Sequence, residues 1–378
     1  MRLESILRPE IVAMEEYTPI EPLEVLSERI KLPIERIVKL DGNENRYGCS
    51  PKVNQALEKY SYYNIYPDPE QRELRLALEK HTGFRYQQIV CGSGSDDLID
   101  LILRLFINPG DKVINCPPTF GMYPFCTKIC GGEVVDVPRD NDFELDIHGI
   151  IKALDKKTKI IFLASPNNPS GNCASRQEII ELLATGKIVV LDEAYVDFSK
   201  ETMADLVSQY PNMIVLRTFS KWAGLAGLRI GYGLFSEEIV GYLMKIKQPY
   251  NANVAAKVAV LASLDDMDYL RGNITKIIAE RERLFNKLED IKWLRPYPSN
   301  ANFILCSIRQ DAGISTPEYS EYNTETLAKI IWYKLRYKGV FIRYFDTARL
   351  KDYIRISVGK PEDTDMVIKT LMEVVKND

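Results

Sequence analysis

The chain has 378 residues, 46% hydrophobic and 27% charged, and its 49 basic against 53 acidic side chains give a net charge of −4. This composition is typical of a soluble globular protein of about two domains, and the weak negative charge gives no electrostatic reason to expect a nucleic acid or an anionic membrane as partner. No apolar run reaches about 18 residues, so no membrane span is predicted.

The cysteine and histidine positions argue against a disulfide-stabilised protein and against a metal-binding protein. Seven cysteines are scattered along the chain, and an odd number in a long sequence indicates free thiols in a reducing compartment. Neither the cysteines nor the two histidines have metal-ligand spacing, so no metal site is predicted. His81 and His148 are interpreted as solvated surface residues. Because the N-terminus lacks the apolar core of a secretory signal, we expect a cytoplasmic protein, or a plastid one if a transit peptide has been removed.

Short elements occupy the first eighty residues. Residues 1–40 contain four prolines and predict an N-terminal arm with one helix at about 23–30. The polar, turn-rich segment 39–48, taken alone, is typical of a surface loop. Further helices are predicted at about 51–59 and 70–82, on either side of an extended turn at 66–69.

Residues 90–98 predict a junction from a strand through a glycine turn into a helix that continues to about 106. The first backbone amides of such a helix can bind an anion, although a helix with an ordinary cap has the same pattern. The junction is not a P-loop, because no Gly-Lys-Ser/Thr follows the glycines.

Strands and helices alternate in the next hundred residues. Continuous apolar runs at 159–164 and 187–191 predict strands buried on both faces, preceded by strands at 112–115 and 133–137. This order predicts a parallel, doubly wound sheet, which binds ligands at the carboxyl ends of its strands. Asn168, Asp192 and Lys221 follow such ends, so we expect them to lie together.

The segment 218–233 combines one lysine with hydroxyls, glycines and an arginine. A lysine among small and apolar residues loses hydration, which lowers its pKa and makes the amine nucleophilic. Thr218, Ser220 and Arg229 provide the hydroxyls and the cation that a phosphate needs. A lysine beside a phosphate site is what pyridoxal phosphate (PLP) requires. By itself, the segment fits a glycine-rich turn with a surface lysine equally well.

Helices at about 254–264 and 269–288 lead to a second domain, with strands near 303–307, 340–344 and 353–358 and a helix at 363–375. Residues 309–323 predict a mobile loop. Arg343 and Arg355 interrupt strands that are otherwise apolar. Surface arginines would give this pattern too, but a buried arginine needs an anion, so we expect an anion site here.

Seven motifs occur in order along the chain. They are Leu-Asp-Gly-Asn-Glu-Asn (40–45), Tyr-Pro-Asp-Pro (66–69), Gly-Ser-Asp-Asp (94–97), Pro-Asn-Asn-Pro-Ser-Gly (166–171), Asp-Glu-Ala-Tyr (192–195), Arg-Thr-Phe-Ser-Lys (217–221) and Ile-Arg-Ile-Ser-Val-Gly (354–359). The set resembles the histidinol-phosphate aminotransferase family, fold-type-I PLP enzymes of histidine biosynthesis. The resemblance implies an α/β fold with three parts: an arm (1–40) packed with the small domain, a large PLP-binding domain (41–265) around a mostly parallel doubly wound sheet, and a smaller α+β C-terminal domain (266–378).

The resemblance also implies roles in cofactor binding. Lys221 would hold PLP as a Schiff base and later move a proton between substrate and cofactor, and Asp192 would pair with the pyridine nitrogen. Tyr195 and Asn168 would bind the phenolic oxygen. Phe120 would stack on the ring, where the family often has tyrosine. The phosphate would be held by the backbone amides of Ser95 and Asp96, by the hydroxyls of Thr218 or Ser220 and by Arg229.

Histidinol phosphate, glutamate and 2-oxoglutarate are the substrates that the resemblance implies. Arg355 would bind the α-carboxylate of glutamate and then the phosphate of the other substrate, while Arg343 would add to the distal anion. Asn168 would also contact the substrate. Tyr66 would reach the cofactor phosphate and the substrate in the partner subunit's site, which implies a homodimer with shared active sites.

Two features depart from the family pattern. Ile20 stands where tyrosine is common, so a phosphate contact is missing or comes from Tyr17, and the 309–323 loop is longer than usual. Three alternatives stay open. A threonine-phosphate decarboxylase or an aromatic amino-acid aminotransferase would share the fold, and a non-catalytic regulator would carry a DNA-binding helix-turn-helix that the N-terminal residues do not suggest.

Overall fold

The computed structural model describes residues 3–16, 19–199, 201–309 and 322–374. Most predicted helices begin and end within two residues of their expected bounds. The helices are α1 (Pro9–Val12), α2 (Leu23–Ile30), α3 (Pro51–Lys59), α4 (Arg72–Thr82), α5 (Ser95–Phe106), α6 (Met122–Ile129), α7 (Ile147–Ala153), α8 (Arg176–Leu183), α9 (Glu237–Ile246), α10 (Val254–Leu264), α11 (Met267–Glu289), α12 (Thr324–Tyr337) and α13 (Pro361–Val374).

Twelve strands in the described ranges form two sheets. They are β1 (Val38–Leu40), β2 (Ile89–Gly92), β3 (Lys112–Asn115), β4 (Glu133–Asp136), β5 (Thr158–Ala164), β6 (Ile188–Asp192), β7 (Met213–Thr218), β8 (Gly231–Leu234), β9 (Leu294–Pro296), β10 (Phe303–Ile308), β11 (Val340–Tyr344) and β12 (Tyr353–Ser357). The seven-stranded sheet has the order β2-β8-β7-β6-β5-β3-β4, and the five-stranded sheet has the order β1-β11-β12-β10-β9.

The seven-stranded sheet confirms the predicted α/β class. Strands β4, β3, β5, β6 and β7 are parallel, and only β8 runs against its neighbours. The central strands are apolar on both faces because helices cover both: Ile160 and Phe162 pack with α5, α6 and α9, while Ile161 and Leu163 face the opposite cluster with α8. The carboxyl ends of β5, β6 and β7 therefore lie side by side at one edge.

The N-terminal arm contacts both parts of the molecule. Its strand β1 pairs in parallel with β11 of the five-stranded sheet, and Leu26 of α2 packs with Ile37 and Phe341. The short helix α1 lies instead against α6. Within the described residues, no helix is both long enough and apolar enough to cross a membrane.

The interpretation of His81 as a solvated residue is wrong. Its ring stacks on Trp222, with centroids 5.8 Å apart and planes 11° apart, and burial lowers the pKa of its imidazole. His148 is exposed, as expected. A second difference is the start of α4 at Arg72 rather than at residue 70, because Gln71 has a left-handed φ of 55°.

Candidate active site

One cavity lies at the carboxyl ends of β5, β6 and β7. Ten of the residues that the sequence predicts for cofactor binding line it: Ser95, Asp96, Phe120, Asn168, Asp192, Tyr195, Thr218, Ser220, Lys221 and Arg229. Because the strands are parallel, their carboxyl ends lie at the same edge of the sheet, and the segments that follow these ends meet there. Tyr123 and Pro166 line the same cavity and were not predicted.

Lys221 places its amine at this cavity. The side-chain amine donates a hydrogen bond to the carbonyl oxygen of Gly42 at 3.2 Å. Burial of the amine, reinforced by the positive charge of Arg355, lowers its pKa to about 8. About a tenth of the amine is therefore neutral and nucleophilic at pH 7, far more than for a surface lysine.

Asp192 is the buried carboxylate of the site, with 5% of its surface exposed. Its Oδ1 accepts from the backbone N–H of Ala194 at 2.9 Å, and its Oδ2 accepts from the hydroxyl of Tyr123 at 2.7 Å. Burial raises the pKa of Asp192 to about 6, while these two hydrogen bonds oppose the shift. A buried carboxylate of this kind is suited to a cationic N–H in the cavity.

A phosphate cradle stands at the start of α5. Gly94 takes the N-cap position without a side-chain cap, so the first amides of the helix face the cavity uncapped. The Thr218 hydroxyl donates to Ser220 Oγ at 2.9 Å. Arg229 reaches Ser220 at 3.5 Å and Asp96 at 3.1 Å. Helix amides, two hydroxyls and a guanidinium make a donor set that fits a phosphate dianion.

Glycine is required in this cradle for space and for conformation. Gly94 has a φ of +80°, and a Cβ there would lie 2.4 Å from Nη2 of Arg229. A side chain at this position would therefore displace the guanidinium. The lysine, the carboxylate and this cradle together fit PLP.

A larger cavity of about 540 Å³ adjoins the first and shares Phe120, Asn168, Tyr195 and Lys221 with it. Arg343 and Arg355 also line it. These two arginines lie directly opposite each other on the antiparallel strands β11 and β12, so their side chains project from the same face of the sheet.

Arg355 is 5% exposed and lies against two aromatic rings, those of Phe303 and Phe345. Its guanidinium donates to Oδ1 of Asn168, and it donates to the carbonyl oxygen of Asp41 at 2.7 Å. Arg355 therefore joins the five-stranded sheet to the cofactor cavity. Arg343 lies over Phe345, with its guanidinium carbon 5.8 Å from the ring centroid.

Residues 41–45 are part of the site, although their composition suggests a surface loop. Asp41, Gly42 and Asn43 are buried. Gly42 contacts Lys221, Asp41 contacts Arg355, and the side chain of Asn45 donates to the carbonyl oxygen of Trp222 at 2.9 Å. The segment thus connects the two sheets above the lysine. Only the motif at 40–45 pointed to it; its partners are too distant in sequence to infer.

The remaining predicted features have different outcomes. Tyr66 is 77% exposed and stacks on Tyr250 with ring centroids 4.5 Å apart. Tyr17 and most of the 309–323 loop lie outside the described residues. Ile20 lines the larger cavity, where it offers an apolar contact and no hydrogen bond.

Comparisons with known proteins give a consistent result. The family model "Aminotransferase class I and II" matches residues 35–371. Histidinol-phosphate aminotransferase of Roseiflexus castenholzii is 47% identical, and the alignment covers 98% of each of the two chains. The chloroplastic enzyme of that name from Nicotiana tabacum is 45% identical over 97% of this chain and 86% of its own. The crystal structure of the Sinorhizobium meliloti histidinol-phosphate aminotransferase in complex with PLP superposes with a TM-score of 0.86 at 29% identity, covering 98% of each chain.

We predict that Lys221 titrates at about pH 8 in the protein without cofactor. Reductive methylation with labelled formaldehyde, followed by NMR titration of the dimethyl-lysine signals, measures this midpoint. Replacing Arg355 by Gln removes a positive charge that lowers the pKa, so the midpoint should rise.

The matched control for this titration is Arg295→Gln, on the exposed outer strand β9. This change should leave the midpoint of Lys221 where it is. A native midpoint near the ordinary lysine value of 10.5 would show that the amine is hydrated.

Proposed function

The chain belongs to the class I and II aminotransferases, within the histidinol-phosphate aminotransferase family, and on that premise we propose how its residues perform the reaction. The enzyme exchanges an amino group between histidinol phosphate and 2-oxoglutarate, giving imidazole-acetol phosphate and glutamate. Its relatives of 45–49% identity carry this name over most of the chain. The pair of arginines beside the lysine cavity is the observation that fits this substrate set best.

PLP is the cofactor that the donor set supports. The backbone amides of Ser95 and Asp96, the hydroxyls of Thr218 and Ser220 and the guanidinium of Arg229 would hold its phosphate, and Phe120 would cover one face of its ring. Asn168 and Tyr195 would donate to the phenolic oxygen. Lys221 would carry it covalently. When bound, PLP supplies an electron sink for the substrate carbon that loses its proton.

Asp192 has one task in this reaction, to keep a proton on the pyridine nitrogen. Its carboxylate is held by Tyr123 and by the N–H of Ala194, so its position is set before any ligand binds. A pKa of about 6 leaves Asp192 largely ionised at neutral pH, and a cationic N–H beside it would complete the ionisation.

Lys221 has two tasks, nucleophilic attachment and proton transfer. Its lowered pKa, caused mainly by burial, supplies a neutral amine for attachment. Once released, the same amine can accept the proton from the substrate carbon and return it to another atom. The positive charge of Arg355 lowers the pKa of that amine and so favours release of the proton.

Arg343 and Arg355 explain how one cavity takes two unlike anions. Glutamate carries two carboxylates, whereas histidinol phosphate carries a phosphate and no α-carboxylate. Two guanidiniums on the same face of the sheet, opposite each other in register, can bind either the two carboxylates of glutamate or the single phosphate of histidinol phosphate by bidentate hydrogen bonds. The apolar side chains of Ile20 and Leu350 at the same cavity would pack against the uncharged part of the substrate.

A homodimer is the second part of the proposal. The exposed side chains of Tyr62, Tyr63, Ile65, Tyr66 and Tyr250 include four aromatic rings within one region of the surface. Exposed apolar residues in such number mark an interaction surface, and the family places a partner subunit's tyrosine at each site.

The compartment, cytoplasm or plastid stroma, stays a prediction from the sequence.

A simple assay distinguishes the proposed reaction from those of related enzymes with the same fold. The purified enzyme should convert histidinol phosphate only when 2-oxoglutarate is present, and glutamate should form in equal amount. A threonine-phosphate decarboxylase would instead release CO₂ from threonine phosphate without any 2-oxo acid. Higher kcat/KM for phenylalanine or tyrosine than for histidinol phosphate would assign the chain to aromatic transamination.

Replacing Arg343 by Ala should lower kcat/KM for histidinol phosphate by at least about 30-fold, or ~2 kcal/mol, because a charge-assisted pair with the phosphate is lost. The same variant should lose much less with unphosphorylated histidinol. Arg355→Ala should impair both histidinol phosphate and glutamate. Arg295→Ala on β9 is the control. An equal loss on both amines in Arg343→Ala would mean that Arg343 does not bind the phosphate.

Shared active sites predict complementation between two inactive variants. Lys221→Ala and Tyr66→Ala each damage a different subunit's contribution to one site. When the two proteins are mixed and refolded, half of the dimers are mixed, and each of these has one intact site. Activity should therefore return to about a quarter of the native value at most. A monomeric enzyme that is fully active in dilute solution would contradict the dimer.

A further inference from the structure

Asn43 has an unusual backbone for a residue other than glycine. Its φ of 54° is left-handed, and only 2% of its surface is exposed. Asparagine tolerates this conformation better than most residues, but it is still uncommon and needs surrounding contacts to hold it. Those contacts come from both sheets.

Three of the polar groups of Asn43 are held by the five-stranded sheet. Its backbone N–H donates to Ser357 Oγ at 2.9 Å, and the Ser357 hydroxyl donates back to Asn43 Oδ1 at 2.8 Å. Its carbonyl oxygen accepts from the side chain of Asn302 at 3.0 Å. Because Ser357 ends β12 and Asn302 directly precedes β10, the carboxamide of Asn43 is fixed in position and in orientation.

The fourth group, Nδ2, contacts a residue that lines the cofactor cavity. It donates to the hydroxyl oxygen of Tyr195 at 2.9 Å. An amide nitrogen can only donate, so the tyrosine oxygen must accept in this contact. The proton of Tyr195 must therefore be donated in another direction. Tyr195 lines the cavity beside Lys221, whose amine lies 6.0 Å from its ring centroid.

We infer that Asn43 is a positioning residue that sets the direction of the Tyr195 proton, so that Tyr195 donates to the phenolic oxygen of the bound cofactor. This inference rests on the proposed function, because it needs PLP in the cavity. A donor to that oxygen stabilises negative charge on it. Asn43 does not touch the reacting atoms; it acts through Tyr195.

The test replaces Asn43 by Asp, which has the same shape, also tolerates a left-handed φ, and accepts where the amide donates. The carboxylate at position 43 would take the Tyr195 proton away from the cofactor. The visible absorption of the PLP-loaded enzyme is followed against pH, since its deprotonated form carries charge on the phenolic oxygen. We expect the midpoint of this change to rise by about one pH unit in Asn43→Asp.

A double-mutant cycle separates hydrogen bonding from charge. An added carboxylate near Lys221 would also raise the midpoint by Coulomb attraction alone, without Tyr195. The Asn43→Asp change is therefore repeated in a Tyr195→Phe enzyme, where the inference predicts that most of the shift disappears. Asn286→Asp, at an exposed position of α11 that lines neither cavity, is the matched control and should leave the midpoint unchanged.

Two results of these titrations would overturn the inference. A shift that persists in Tyr195→Phe, or an Asn43→Asp enzyme that titrates as the native one, would overturn the inference. If Asn43→Asp does not fold, Asn43→Gly keeps the left-handed backbone, removes only the carboxamide, and should raise the midpoint by about half a unit; an unchanged midpoint there would overturn the inference too. If the native enzyme takes up no PLP, the proposed function fails instead.

Discussion

The active site depends on limiting the hydration of one amine, that of Lys221, which is half-buried. The sheet brings Lys221 to the carboxyl edge of β7, and the segment 41–45 lies over it, with the Gly42 carbonyl accepting its hydrogen bond. Burial then lowers the lysine pKa and raises that of Asp192. The same exclusion of water therefore prepares a nucleophile and a carboxylate for opposite tasks.

Much of this arrangement can be predicted from the sequence, because parallel sheets obey local rules. Apolar runs at β5 and β6 identify strands buried on both faces, and the direction of a parallel sheet then places the polar residues that follow them at one edge. This logic groups Asn168, Asp192 and Lys221 without any tertiary information. The glycine turn before α5 adds an anion site by the same reasoning.

Long-range contacts could not be predicted, because composition does not encode them. Residues 41–45 are polar and turn-rich, which is typical of a surface loop, yet Asn43 is bonded to Tyr195 and to Ser357, which is 314 positions away. Tyr123 lies in the first turn of α6, after a proline-rich segment, and nothing in that sequence indicates its hydrogen bond to Asp192. His81 appeared to be a surface residue because its partner, Trp222, comes from another part of the chain.

Reduction of the PLP-loaded enzyme with borohydride, followed by peptide mapping, tests the central claim most directly. The lowered pKa of Lys221 and its place in the cavity predict that the cofactor is fixed to this lysine in stoichiometric amount. They also predict that Lys221→Ala retains no covalent label. Label on any other lysine of the native enzyme, or equal labelling of Lys221→Ala, would contradict the account.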